Sequence, residues 1–176
     1  MRAGSALIFS LLLATTFQTG CTQDVKWSTV LHAVRVEYED VQHITTDSLK
    51  QRLDQSATSG VTLLDTRTRG EFNVSHLRGA VRVDPDEEEF SSLDSLDRAT
   101  PIVTYCSVGY RSAAVARRLG ELGFTNVSNL EGSIFKWANE DLPVYRGDEI
   151  VTEVHPFDRL WGQLLVKDRR AYTPRD

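Results

Sequence analysis

At residues 101–115 the chain reads Pro101-Ile-Val-Thr-Tyr-Cys106-Ser-Val-Gly-Tyr-Arg111-Ser-Ala-Ala-Val115. Residues 102–105 are a short apolar run between a proline and a Cys–Gly loop, which predicts a strand buried on both faces. From Ser112 the pattern changes to a helical period, which ends at Gly123, the expected C-terminal stop. The apolar face of this predicted helix consists of Val115, Leu119 and Leu122. The sequence therefore predicts that Cys106 lies where a strand ends and a helix begins.

This position gives Cys106 a special chemistry. The first backbone N–H groups of a helix lack internal partners and lie at the positive end of its dipole. A loop over that end makes an anion cradle, so the Cys106 thiol is expected to have a lowered pKa and to react as thiolate. Gly109 permits a tight turn, and Arg111 closes the loop with a fixed positive charge. The alternative is a buried structural cysteine; the order strand, Cys, Gly, Arg, helix favours the reactive thiol.

Two further blocks accompany this loop. The first reads Leu63-Leu-Asp65-Thr-Arg67-Thr-Arg-Gly-Glu71-Phe72-Asn-Val-Ser-His76-Leu-Arg-Gly79-Ala80. The second reads Asn129-Leu-Glu131-Gly132-Ser-Ile-Phe-Lys-Trp137, followed by Leu142-Pro143-Val144. Together with the Cys106 loop, these blocks resemble the signature segments of the rhodanese (sulfurtransferase) family. They come in the family's order and cover about residues 41–146, the length of one domain.

The resemblance implies a rhodanese-like three-layer α/β fold, with helices flanking a mostly parallel central sheet. The alternation of strands and helices along the chain predicts the same class. The resemblance also implies a thiosulfate sulfurtransferase-like enzyme, in which Cys106 takes a sulfane sulfur from a small donor such as thiosulfate. The resulting persulfide passes it to cyanide or a thiol, including a protein thiol. The expected donor-binding residues of the loop are Ser107, Val108, Gly109, Tyr110 and Arg111. No cofactor and no metal is expected.

Asp65 and Arg67 lie at the C-terminal end of the predicted strand at 61–65, at the sheet edge that carries the site in parallel sheets. They are expected to lie beside the Cys106 loop. A salt bridge that pins the loop is the favoured interpretation, because neither group is a nucleophile near its ordinary pKa. The alternative is that Arg67 faces an anionic sulfur donor. His76 is expected to fix a turn by local hydrogen bonding, with a catalytic role as the alternative.

Two other functions stay open. A related class of phosphatases shares the fold and uses Cys and Arg, but its loop is one residue longer. Four residues separate Cys106 from Arg111 here, and a phosphate needs a wider ring than one sulfur atom. The other alternative is a non-catalytic rhodanese-like module that docks a partner or carries sulfur. The presence of Cys106 favours catalysis, while the weakly basic loop favours a persulfide or protein donor over thiosulfate.

Composition and the first residues bear on partners and location. The 176-residue chain is 40% hydrophobic and 26% charged, as is usual for one globular domain, and its net charge of −5 argues against nucleic-acid binding. Residues 1–21 have the plan of a signal peptide: a positive Arg2, an apolar core at 6–14, and a small-residue ending. This core is shorter than the about 20 residues that span a bilayer, although a membrane helix is the alternative.

Cys21 ends this leader in Thr19-Gly20-Cys21, which is similar to the bacterial lipoprotein box. Lipid modification of Cys21 and ordinary cleavage nearby are equal alternatives. In a bacterium we expect export, either to the periplasm or to a membrane surface through a lipid on Cys21. Because Cys21 and Cys106 are the two cysteines of the chain, we expect no disulfide in the mature domain.

Residues 22–40 are interpreted as an N-terminal extension and 147–176 as a C-terminal extension. In the first, apolar spacing over 30–34 fits a helix, although 34–38 also alternates like a strand. In the second, apolar residues are expected to pack back on the domain, and residues 169–176 to fray. Further helices are predicted: one capped by Thr46 or Asp47, a short one at 69–74, one in the acidic segment 84–97, and a final one at 131–140. The oligomeric state stays open.

Overall fold

The computed structural model describes residues 26–55, 60–87 and 90–173. Its main sheet contains strands β1 (Gln42–Ile44), β2 (Thr62–Asp65), β3 (Val81–Arg82), β4 (Ile102–Tyr105) and β5 (Val127–Leu130). All neighbours in this sheet are parallel, and the order is β1-β5-β4-β2-β3. The central strand β4 has all four residues buried, which confirms the strand predicted at 102–105.

Five helices accompany this sheet: α1 (Trp27–Glu37), α2 (Thr46–Asp54), α3 (Arg69–Val74), α4 (Tyr110–Glu121) and α5 (Ser133–Asn139). Successive strand residues face opposite sides of a sheet. Leu63 of β2 accordingly belongs to one apolar cluster and Leu64 to another. The parallel sheet flanked by helices confirms the predicted α/β fold class. Among the described helices, none is both long and apolar enough to cross a bilayer.

The acidic segment 84–97 does not form the predicted α-helix. Its described part contains a single 3-10 turn, Ser91–Leu93, preceded by Phe90 with a left-handed φ of 46°. Aspartate side chains take the local backbone N–H groups instead, as when Asp86 N–H donates to Asp84 Oδ1 at 3.1 Å. Phe90 and Leu93 are buried nonetheless. The spacing of the apolar residues in this segment therefore identified residues that pack in the core, although the backbone between them is not helical.

One smaller expectation at a helix start was also wrong. The N-cap of α2 is Thr45, whose hydroxyl accepts a hydrogen bond from Ser48 N–H at 3.2 Å, and not Thr46 or Asp47. This difference shifts an element boundary by one or two residues, which is where sequence patterns are least informative. At the end of α4, Leu122 is the C-cap and Gly123 follows with a left-handed φ of 92°, which confirms Gly123 as the predicted stop. Leu122 itself is exposed, so it does not belong to the buried face of the helix as predicted.

The two extensions pack into the same core as residues 41–146. Val30 and Val34 of α1 are buried against it. After the antiparallel pair β6 (Val144–Arg146) and β7 (Glu149–Val151), the chain buries Val154, Leu164 and Leu165. The fraying predicted from residue 169 was wrong for 169–171, because Ala171 N–H donates to Val154 O at 3.1 Å. Residues 174–176 lie outside the described residues, as do 1–21 with the predicted signal peptide and Cys21.

Candidate active site

The Cys106 loop connects β4 to α4 and is shaped by Gly109. Gly109 has a φ of 111° and is the N-cap of α4, which starts two residues before the predicted Ser112. A Cβ added at this glycine would lie 3.4 Å from Leu130 O and 3.5 Å from Asn129 Nδ2. Positive φ and close neighbours both favour glycine here, as expected from the tight turn.

The start of α5 holds the loop in place. Ser133 Oγ accepts a hydrogen bond from Cys106 N–H at 3.1 Å. Ile134 N–H donates to Cys106 O at 3.2 Å, and Phe135 N–H donates to Ser107 O at 3.1 Å. Sequence reasoning did not identify Ser133 as a site residue. The one signal in the sequence is Gly132, a residue type that permits the left-handed φ of 67° found at the N-cap of α5, directly before Ser133.

The environment of the Cys106 thiol favours the thiolate. The loop amide at hydrogen-bond distance is that of Gly109, which donates to Sγ at 3.2 Å. Burial raises the pKa of Cys106, since its residue is 1% exposed, but the positive charge of Arg111 and hydrogen bonds from Ser112 and Gly109 act in the opposite direction. The net effect lowers the pKa of Cys106 below its ordinary value. This is the direction that makes a thiol reactive.

A free thiol reaches half its maximal rate of alkylation by iodoacetamide at a pH of about 8.5. Cys106 is expected to reach half its maximal rate at a lower pH. Arg111→Met should move this midpoint upward, because it removes the charge that lowers the pKa of Cys106. Mass spectrometry of the Cys106 peptide, with glutathione as free thiol in the same solution, gives both rates. A midpoint at or above that of glutathione would contradict a stabilised thiolate.

Arg111 is bound on two sides within the site. Its Nη2 donates to Glu71 Oε1 at 2.9 Å and to Ser107 Oγ at 3.1 Å. Its guanidinium carbon lies 4.8 Å from the ring centroid of Phe157, a cation–π distance. The sequence predicted Arg111 as the fixed positive charge of the loop. In the structure, the Glu71 carboxylate neutralises part of this charge.

Glu71 was not recognised as a site residue beyond its place in the second sequence block. It is positioned by the first turn of α3, where Thr68 and Glu71 form a reciprocal capping box. Its carboxylate also accepts from Ser107 Oγ at 3.0 Å, so it connects α3 to the Cys106 loop. Burial raises the pKa of Glu71, but hydrogen bonds and charge from Arg111 outweigh burial and lower it to about 2.

Glu71→Gln is expected to lower the free energy of unfolding at pH 7 by about 1–3 kcal/mol, because the ion pair with Arg111 is lost. A carboxyl with a lowered folded-state pKa stabilises fully above its ordinary pKa, here 4.5, and the stability is lost as pH falls toward about 2. The variant should therefore lose less stability than wild type between pH 4.5 and 2. Urea titrations over this range measure both effects, and Glu121→Gln on the exposed side of α4 is the control. If the free energy of unfolding fell equally steeply with pH in wild type and in Glu71→Gln, the stabilising role of the Glu71 carboxylate would be contradicted.

Asp65 and Arg67 form a fully buried ion pair next to the loop. Arg67 Nη2 lies 2.6 Å from Asp65 Oδ2, and both side chains are 0% exposed. The same nitrogen donates to Ser75 O at 2.6 Å, so the pair ties the end of β2 to the residue after α3. Arg67 presents no surface to a donor in solution, and the favoured interpretation of a pinning salt bridge fits this geometry.

His76 has a local partner of the kind expected. Its Nδ1 lies 3.1 Å from Phe72 O, and its ring stacks on Phe72 with centroids 4.1 Å apart. The backbone of His76 also pairs with Tyr145 of β6. These contacts fix the chain after α3, which agrees with a structural role.

A cavity of about 140 Å³ lies at Cys106. The five predicted loop residues do not all line it, since its lining consists of Cys106, Ser107, Val108, Tyr110, Arg111, Phe157 and Trp161. Gly109, Asp65 and Arg67 are not part of the lining. Sequence reasoning missed Phe157 and Trp161, which it placed in a tail packed on the domain. Within residues 26–55, 60–87 and 90–173, no group of three or more His, Cys, Asp or Glu could hold a metal ion.

The fold and the site together define the class of the protein. It is an α/β domain with a parallel sheet and a cysteine on the loop between a strand and the following helix. The family model of the rhodanese-like domain matches residues 45–140, and the chain belongs to this family. A rhodanese-related protein from Thermoplasma volcanium, known from its crystal structure, has the same fold. It is 26% identical with a TM-score of 0.52, and the match covers 60% of this chain and 98% of that one.

Two curated relatives carry more specific names. A tRNA uridine(34) hydroxylase of Bacillus pumilus is 33% identical over 129 residues, which are 69% of this chain and 35% of the relative. The adenylyltransferase and sulfurtransferase UBA4 of Meyerozyma guilliermondii is 29% identical over 93 residues, which are 47% of this chain and 22% of the relative. The chain thus spans about a third or less of the length of these relatives.

Proposed function

We propose that this protein is a sulfurtransferase that carries a sulfane sulfur as a persulfide on Cys106. The observation that carries the proposal is the Cys106 thiol itself, which has a lowered pKa, accepts a hydrogen bond from Gly109 N–H and lies at a small cavity. A thiolate in such a position is a nucleophile that needs no adjacent base.

The proposed reaction has two steps. The Cys106 thiolate attacks the outer sulfur of a donor, the sulfur–sulfur bond of the donor breaks, and the leaving group departs with the electron pair. A nucleophilic acceptor, cyanide or a thiol, then attacks the outer sulfur of the Cys106 persulfide and regenerates the thiolate. The Gly109 amide and Arg111 stabilise the negative sulfur in both steps. All bonds and charges balance without a cofactor or a metal.

The geometry gives less support to a phosphatase. Phosphoryl transfer needs donors directed at the phosphate oxygens, whereas the Arg111 guanidinium is bound to Glu71 and Ser107. The four-residue spacing from Cys106 to Arg111 disfavours the wider phosphate ring as well. The lowered pKa of the Cys106 thiol and the cavity at this residue also give less support to a non-catalytic module, because such a module needs neither feature.

The names of the relatives bear on this proposal to different degrees. The sulfurtransferase name of the Meyerozyma guilliermondii relative agrees with sulfur transfer. Hydroxylation of a tRNA uridine is named for proteins that this chain matches over about a third of their length, and a net charge of −5 does not favour an RNA substrate. Export as a periplasmic or lipid-anchored protein remains a proposal from residues 1–21.

The test is intact mass spectrometry of the full chain after treatment with thiosulfate or another sulfane donor. We expect one added sulfur atom, lost on addition of cyanide with release of thiocyanate. Absence of any adduct and of thiocyanate with every donor would favour the non-catalytic module. Hydrolysis of an aryl phosphate that depends on Cys106 would favour the phosphatase instead.

A further inference from the structure

The outer wall of the Cys106 cavity comes from the C-terminal extension. Phe157 and Trp161, here called the aromatic roof, line the cavity together with the loop. The rhodanese-like family model matches residues 45–140, so both aromatic residues lie outside the matched region. The aromatic roof is therefore a feature of this chain that the family assignment does not account for.

Neighbouring contacts fix the aromatic roof in place. Asp158 Oδ1 accepts hydrogen bonds from Leu160 N–H and Trp161 N–H, both at 2.8 Å, and starts the 3-10 turn Trp161–Leu164. Asn139 of α5 donates to Leu164 O at 2.7 Å, while Leu164 and Leu165 are buried in the core. On the inner side, the ring of Phe157 lies against the Arg111 guanidinium. The Trp161 side of the roof is thus part of the packed domain, whereas Phe157 is 41% exposed and covers Arg111 from the solvent side.

The cavity surface beneath this roof is almost entirely apolar. Its volume of about 140 Å³ is close to the ~150 Å³ of an engineered apolar cavity that binds benzene, so a group of that size fits. The cation in its lining, Arg111, already has Glu71 as partner at 2.9 Å. A dianion such as thiosulfate would lose part of its hydration against this apolar surface and gain little in return.

We propose that the aromatic roof selects donors whose sulfane sulfur is attached to an apolar organic group, over thiosulfate. This inference rests on the proposed sulfur transfer. The substrate class is an organic persulfide, R–S–SH, in which R is an alkyl or aryl group that fits under Phe157 and Trp161. The Cys106 thiolate attacks the outer sulfur, R–S⁻ leaves with the electron pair, and the proton stays on the new persulfide, Cys106–S–SH.

Thiosulfonates are stable probes of this preference. Benzenethiosulfonate and methanethiosulfonate each carry one negative charge and differ in the size of the apolar group, while thiosulfate carries two charges and no apolar group. In each case Cys106 takes the terminal sulfur, and benzenesulfinate, methanesulfinate or sulfite leaves. The kcat/KM of each donor is measured with cyanide as acceptor, for the wild type, Phe157→Ala and Trp161→Ala.

Benzenethiosulfonate is expected to exceed thiosulfate in kcat/KM by about tenfold or more in the wild type, with methanethiosulfonate between them. Phe157→Ala and Trp161→Ala should each reduce the benzenethiosulfonate-to-thiosulfate ratio by about tenfold. Comparing ratios between proteins cancels the intrinsic reactivity of the donors. Leu160→Ala is the matched control, since this half-exposed residue belongs to the same segment and is not part of the cavity lining.

The outcomes separate this inference from the proposed function. If all proteins form the Cys106 persulfide and the ratio is the same in wild type and both variants, the roof does not select the donor, although sulfur transfer stands. If no donor gives a persulfide on Cys106, the proposed function and this inference both fail. Should a roof variant misfold, Phe157→Leu takes its place as the test of the roof. The donor order in the wild type is a second test, because a wild type that prefers thiosulfate to benzenethiosulfonate overturns the proposal.

Discussion

Cys106→Ser is expected to remove sulfur transfer, with kcat/KM for any sulfane donor falling by about 10³-fold or more to the uncatalysed rate. The hydroxyl of serine is far less acidic than a thiol, so neither Arg111 nor the Gly109 amide can hold it as an anion at neutral pH. No sulfur adduct should form on this variant. Thiocyanate release and intact mass measure the two consequences in one reaction mixture.

The chain offers a matched control for this substitution. Cys21→Ser makes the same chemical change at the other cysteine, which lies before the residues that match the family model. It should leave the rate and the single adduct unchanged. A persulfide that disappears in Cys21→Ser and persists in Cys106→Ser would place the chemistry on the wrong cysteine and overturn the proposed function.

Asp65→Asn is expected to lower the free energy of unfolding by about 3–5 kcal/mol, the usual effect of removing one partner of a buried ion pair. The neutral amide leaves the Arg67 charge at 0% exposure without its counter-ion. Because small domains are stable by about 5–15 kcal/mol, the loss is a large fraction of the total. Urea denaturation should show a lower midpoint with an unchanged slope.

Two further variants isolate the cause of this loss. Asp54→Asn makes the same change in the exposed pair that Asp54 forms with Lys50, and it should have little effect. Adding Arg67→Met to Asp65→Asn should recover part of the stability, because the uncompensated charge is then gone. Equal losses for Asp65→Asn and Asp54→Asn would show that the buried pair has no special weight.

The elements of the fold were largely predictable because their signals are local. The apolar run 102–105 and the helical period after it are patterns within a few residues of the chain, and both elements are present. The acidic segment 84–97 failed for the same reason: its apolar spacing of three matched a helix, while aspartate-to-backbone hydrogen bonds compete with helix formation. Spacing records which residues are buried and does not fix the backbone conformation between them.

The candidate site divides in the same way. Cys106, Gly109 and Arg111 follow from the order of residues at a strand-to-helix junction, and the likeness to the rhodanese family rests on such short ordered blocks. Ser133, Glu71 and the aromatic roof could not be found in this way, since each comes from a separate part of the chain. A side chain that is distant along the chain leaves no periodic signal at the cysteine.

The amino-acid sequence by itself determined the α/β class and the family, and it singled out Cys106 as the proposed nucleophile, because strand period, helix period and loop order are properties of neighbouring residues. Only the tertiary structure decided what surrounds the thiol: the Glu71 carboxylate that pairs with Arg111, and Phe157 and Trp161 above the cavity. Those contacts depend on how distant segments pack, and packing is a property of the whole core.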